Sequence, residues 1–167
     1  MAASSLQPAR TLDDLYTQMK EQAQNRGPSF FHLRAQLPLQ GRTHLPLATS
    51  DRMRVWLKTY ASGGENELHA HPLEDHIFVV LQGAAEFYDR GEIRRVEKLD
   101  GVFLPRGAFY WFKTVSDEPL VMLRVGAMAP GADLMKDGRI SANGQPMSGF
   151  SAENKEVPLI LSERWFE

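Results

Sequence analysis

The stretch GGENELHAHPLEDHIFVVLQG, Gly63 to Gly83, decides how the chain is read. His69 and His71 stand two apart in a segment, Glu67–His71, that reads as a strand. A period of two puts both imidazoles on one face, close enough to share an ion. Pro72-Leu73-Glu74-Asp75 reads as a turn, and His76 opens the next strand. If the two strands pair antiparallel, His76 returns beside the other two. Imidazole nitrogens suit zinc, iron, nickel or copper better than magnesium or calcium. A one-residue slip would bring in Asp75 instead and turn every side chain of that strand over. The interval from His76 to the Gln82-Gly83 turn favours His76, because hairpin turns fix register.

Around this stretch lie many short runs of β-branched, aromatic and aliphatic residues: Arg54–Tyr60, Ala84–Asp89, Glu92–Glu97, Val102–Leu104, Tyr110–Val115 and Leu120–Val125. Between them sit turn signals such as Ser62-Gly63-Gly64, Asp89-Arg90-Gly91, Asp100-Gly101 and Pro105-Arg106-Gly107. Closely spaced short strands with no helical period between them predict an all-β sandwich or barrel. N-terminal to them, Leu12, Leu15, Tyr16 and Met19 form one apolar stripe at helical spacing. Thr11 is the N-cap, Asp14 its capping-box partner, and Arg26-Gly27-Pro28 the stop. After Met128 the chain turns Gly-, Pro- and Asn-rich, with turns such as Asp137-Gly138. It becomes apolar again at Val157–Leu161 and ends near Trp165-Phe166. A tail closing on large apolar groups is expected to dock, on its own barrel or on a neighbour's. The division expected is a helical segment at 1–28, a barrel at 29–128 and a C-terminal extension at 129–167.

The 167 residues, 43% hydrophobic and 24% charged, fit one globular domain. A formal charge of −2 gives no reason to expect nucleic acid, whose phosphates need clustered Lys and Arg. With no cysteine, disulfides, thiolate metal sites and a cysteine nucleophile are excluded. The segment MAASSLQPAR lacks the apolar core of a secretory signal, and the longest apolar run is too short to cross a bilayer. A cytoplasmic protein without membrane contact is expected.

The sequence resembles the cupin family. Its first motif, Gly, five residues, His-x-His, three or four residues, Glu, six residues, Gly, is matched at Gly63, His69, His71 and Gly83. The second is echoed by LDGVFLPRGAFYWFKT, where Asp100, Pro105 and Gly107 match. The resemblance covers Met53 to Val125 and implies a double-stranded β-helix, or jelly-roll barrel. His76 takes the place of the family's metal-binding Glu, Tyr110 that of the second-motif His, Thr114 that of its Asn, and Leu99 that of its leading Gly. The implied metal ligands are His69, His71, His76 and Tyr110. Tyr110 is either a bound phenolate or an unligated group donating a hydrogen bond and transferring protons, since a phenol of pKa about 10 ligates only when a cation lowers it.

Replacing the carboxylate with His76 would leave a dicationic centre that prefers anionic, chelating substrates. Three protein ligands leave open positions, the geometry of a catalytic site. The leading expectation is a non-haem iron dioxygenase acting on a small enolic, aromatic or carboxylate substrate. A lyase, isomerase or cyclase using zinc or nickel with Tyr110, and a non-catalytic ligand-binding barrel, are the alternatives. Arg54, Trp56 and Lys58 alternate on one strand, and with Arg124 they would bind a carboxylate or clamp a ring if they face inward. His32 and His44 read as surface or hydrogen-bonded histidines. A homodimer is expected, since single-cupin chains often pair through their sheets.

Overall fold

The computed structural model describes residues 7–61, 66–89, 91–133, 135–136 and 138–167. Gly63, the turn Ser62-Gly63-Gly64, Arg90 and Asp137 lie outside them. The chain opens with α1 (Leu12–Ala23), then runs through β1 (Ala35–Gln40), β2 (Arg42–Thr49), β3 (Met53–Tyr60), β4 (His69–Ala70), β5 (Glu74–Gln82), β6 (Ala84–Asp89), β7 (Glu92–Glu97), β8 (Gly101–Leu104), β9 (Trp111–Thr114), β10 (Leu120–Met128), β11 (Ile140–Ser141) and β12 (Ile160–Phe166).

One sheet has five antiparallel strands in the order β2-β3-β10-β5-β8, and a second has three, β7-β6-β9. The β5–β6 hairpin joins them through Gly83, whose φ of +76° is one that L side chains rarely adopt. Two further pairs, β4 with β11 and β1 with β12, complete the jelly-roll barrel. The C-terminal strand β12 thus pairs with a strand of its own chain.

The helix forms as its pattern predicts. The Thr11 hydroxyl accepts from the Asp14 N–H at 3.1 Å, while the Asp14 carboxylate accepts from the Arg10 N–H. The helix ends at Ala23, three residues before the expected stop. Its stripe buries Leu15 and Met19 against Trp56 and Met128, so α1 lies across one end of the barrel.

Side-chain parity divides the larger sheet. Leu45, Leu47, Leu57 and Val121 point outward and pack under β1 with Ala35 and Leu37. Tyr60, Phe78, Val80 and Met122 point inward and meet Phe87, Val96, Tyr110 and Phe112 of the smaller sheet. These residues fill one half of the lumen with apolar and aromatic side chains. The other half is polar.

At the turn between β7 and β8, Leu99 holds a φ of +77° and is largely exposed. A left-handed conformation costs a non-glycine residue roughly 1–2 kcal/mol. This is the position where the second cupin motif has its leading glycine, so the backbone keeps the shape that the side chain opposes.

Candidate metal centre

His69, His71, His76 and Tyr110 come from different elements and meet at the polar end of the lumen. His69 sits on the two-residue β4, tied to Tyr110 by reciprocal backbone bonds of 3.1 and 3.0 Å. His71 follows on the turn into β5, where its carbonyl accepts from the Gly107 N–H. His76 lies on β5, opposite Gly126 of β10 and Leu104 of β8. The ring centroids of His69 and His71 are 5.0 Å apart, those of His71 and His76 4.2 Å, and those of His69 and Tyr110 4.5 Å.

The choice between Asp75 and His76 follows from parity. Strand β5 begins at Glu74, two residues earlier than the sequence suggested. Its burial pattern puts Glu74, His76, Phe78 and Val80 inside. Asp75 faces out and accepts from the Arg106 N–H at 2.8 Å. What had read as the turn Pro72–Asp75 therefore contributes a carboxylate to the lumen. Ligand atoms of His71, Glu74 and His76 all lie within 4.8 Å of one another, and all three residues are buried. His69 is not part of that tight group, though its ring borders it. Glu74 was missed because its segment reads as a turn; the signal for it was its position two residues before His76, on the same face.

Several atoms here are unsatisfied in a way that suits a cation. Nδ1 of His69 meets the Glu67 carbonyl at 2.6 Å. A ring N–H donating to that carbonyl leaves Nε2 as a bare acceptor, the arrangement that orients metal-binding imidazoles. Nε2 of His69, Nδ1 of His71 and Oε1 of Glu74 are buried without hydrogen-bond partners. Buried polar atoms are rarely left so, and a divalent transition metal would satisfy those of His71 and Glu74. The residues fit such an ion.

The electrostatics prepare the ligands. Burial lowers the pKa of His69 and His71 well below the ordinary histidine value, so both are neutral at neutral pH and able to donate lone pairs. Burial, reinforced by Arg124, lowers His76 to about 4. Burial pushes Glu74 up, but Arg124 first and Arg54 with it outweigh that and hold the carboxyl ionised. A Cβ at Gly126 would land on the Glu74 carboxylate, so only glycine at that position leaves it room.

Arg54, Trp56, Lys58 and Arg124 all face the lumen and are buried. Nη2 of Arg124 donates to Nε2 of His76 at 2.7 Å and to Oε2 of Glu74 at 3.1 Å, and its guanidinium lies 4.5 Å from the Trp56 ring centroid. Arg54 reaches the same carboxylate at 3.6 Å. Nζ of Lys58 lies 2.5 Å from Nδ1 of His44, which is itself buried and stacked on Phe150. His32 is exposed. Thr114 ends β9 with its hydroxyl away from solvent and unbonded.

Residues 56–126 match the family model for the cupin domain. Together with the barrel topology, that match makes this part of the chain a domain of the cupin superfamily. A protein from Aquifex aeolicus (strain VF5), described as uncharacterized, is 28% identical over 68 residues, 41% of this chain and 56% of its own; the chain thus spans little over half of that relative. Among solved structures, an RmlC-like cupin from Shewanella frigidimarina NCIMB 400 superposes with a TM-score of 0.51 at 17% identity, covering 65% of this chain and 96% of that one. A conserved Streptococcus pyogenes protein of unknown function gives 0.51 at 20%, covering 66% and 99%. The Cnp3 cupin domain of Schizosaccharomyces pombe gives 0.50 at 20%, covering 53% and 66%. These likenesses concern the fold. No helix among the described residues is long and apolar enough to cross a membrane.

Proposed function

We propose that this protein is a metal-dependent enzyme acting on a small molecule, a non-haem iron dioxygenase whose substrate is a small enolic, aromatic or carboxylate compound. The observation that carries the reading is the convergence of His71, Glu74 and His76 within 4.8 Å. Two imidazoles and one carboxylate with open positions are the common platform of iron(II) oxygenases. An iron ion held by this set, with His69 alongside, would supply binding and activation of dioxygen next to the substrate.

The chain's own residues would prepare and orient. Arg54 and Arg124 hold Glu74 ionised, so the ligand set carries one negative charge rather than none. The Arg124 donor that now rests on Nε2 of His76 must leave when that nitrogen ligates an ion. Its guanidinium then turns toward Glu74 or an incoming anion. Tyr110, buried against His69 and stacked near Phe87, is the proton-transfer candidate.

That position of Tyr110 favours a second reading, a lyase, isomerase or cyclase in which zinc or nickel serves as Lewis acid. Oxygen-electrode measurements separate the two. Iron-loaded protein is expected to consume dioxygen with at least one of an enolate, a catechol or a hydroxybenzoate, and zinc-loaded protein is not. Full turnover with zinc, abolished by Tyr110→Phe, would replace the first reading with the second. We propose also that two copies pair through the outer sheet face, where Ile77 and Phe103 lie opposite each other on β5 and β8 and are exposed. A monomer mass by light scattering would remove that proposal.

A further inference from the structure

We propose that the lumen beside the histidine cluster binds a small organic carboxylate between the Lys58 ammonium and the Arg124 guanidinium. The inference names the substrate class of the site proposed above, and its catalytic meaning rests on that reading. It begins with an imbalance of charge. Among the described residues four cationic side chains are buried, Arg42, Arg54, Lys58 and Arg124, against one buried carboxylate, Glu74. The chain as a whole carries −2, so the surplus is local.

Pairing removes part of it. Arg42 meets the less buried Glu156. Arg54 and Arg124 share Glu74. Lys58, 4% exposed, has no carboxylate within ion-pair distance among the described residues, and its hydrogen-bond partner is the uncharged acceptor His44. Nη1 of Arg124 is buried with no hydrogen-bond partner. Burial, with Arg42 and Arg124 nearby, pushes the Lys58 pKa well below its ordinary value, and an anion entering from solvent would restore its charge by pairing with it.

Strand register brings the two donors together. Trp56 lies opposite Arg124, and Lys58 lies opposite Met122, so Lys58 and Arg124 are diagonal neighbours on one face of the β3–β10 pair. On the next strand His76 stands opposite Gly126, two residues from Arg124, so an anion held there borders the proposed ligands. Two cationic groups from two residues, one for each oxygen, suit a planar carboxylate. The walls are aromatic, with Trp56 and Tyr60 at 5.8 and 5.4 Å from the Lys58 nitrogen, which favours an organic anion. The cavity beside Arg124, lined also by Tyr16, His44, Arg54, Arg139 and Phe150, stops short of Lys58 and has about 20 Å³ of room. That is room for one water, so a carboxylate enters only when Tyr16 and Phe150 move aside.

The test is calorimetric titration of the full-length protein, as purified, with propionate, its neutral amide propionamide, and inorganic phosphate. Propionate is expected to bind saturably, with propionamide and phosphate each at least about tenfold weaker, the scale of one hydrogen bond to a charged group. Lys58→Met is expected to lose propionate by a similar factor while taking up metal as the wild type does, by elemental analysis. Propionamide or phosphate binding as tightly as propionate, or Lys58→Met binding it undiminished, would overturn the proposal. Wild-type protein that takes up metal but no propionate would overturn it and leave the metal reading standing. Propionate binding by a protein that takes up no metal would do the reverse. Should Lys58→Met fail to fold, the contrast between propionate and propionamide on the wild type decides.

Discussion

Glu74→Ala should lower the unfolding free energy by about 3–5 kcal/mol, the cost of breaking a buried ion pair from one side. Urea denaturation in the presence of a chelator would read this without any contribution from bound metal. The size follows from what Glu74 faces. It is the one buried carboxylate among the described residues, and two guanidinium groups, those of Arg54 and Arg124, converge on it at 3.6 and 3.1 Å. Removing it leaves both cations in a lumen whose other half is aromatic and aliphatic. Gly126→Ala reaches the same carboxylate from the backbone, because the new Cβ would occupy its place. It should displace Glu74 without deleting the charge, costing less stability than Glu74→Ala but as much metal. A Glu74→Ala protein as stable as the wild type would mean that the two arginines find other partners, and that the carboxylate does not organise the site.

His71→Ala should weaken binding of a divalent transition metal by more than about 100-fold, beyond the 10–100-fold typical when only a residue supporting a ligand is lost. His71 is the middle of the cluster, 4.2 Å from the His76 ring and 5.0 Å from that of His69, and it belongs to the tight ligand group with Glu74 and His76. Competition against a chromophoric chelator measures the change. The same measurement on His69→Ala tests whether that ring joins the ion, since its Nε2 is unsatisfied although it lies outside the tight group. Unchanged affinity in His71→Ala would remove that residue from the ligand set.

The strands from Met53 to Met128 were legible because apolar and polar residues alternate in them and Gly-containing turns separate them. β1 and β2 were not, for a physical reason. Each holds a proline, Pro38 or Pro46, which cannot donate to a ladder, and each proline sits at a register shift that the pattern of residues does not reveal. Inside the site, the histidines announced themselves through spacing. Glu74 did not, because Pro-Leu-Glu-Asp carries the composition of a turn while its third residue already begins β5. The inward direction of Arg54, Lys58 and Arg124 depends on which face of β3 and β10 the barrel closes over. That is a fact of long-range pairing, invisible to local period. The lumen's cationic surplus was hidden for the same reason, within a chain whose total charge is almost balanced.

One cation, gathered by side chains of a turn and a strand, is central to the proposed function: His71 comes from the first, Glu74 and His76 from the second. Anomalous diffraction from crystals of metal-loaded protein addresses this most directly. The expected result is a peak bounded by the two imidazoles and the Glu74 carboxylate, with the Arg124 guanidinium withdrawn from Nε2 of His76. Metal-replete crystals with no peak there, and Arg124 still resting on that nitrogen, would contradict it.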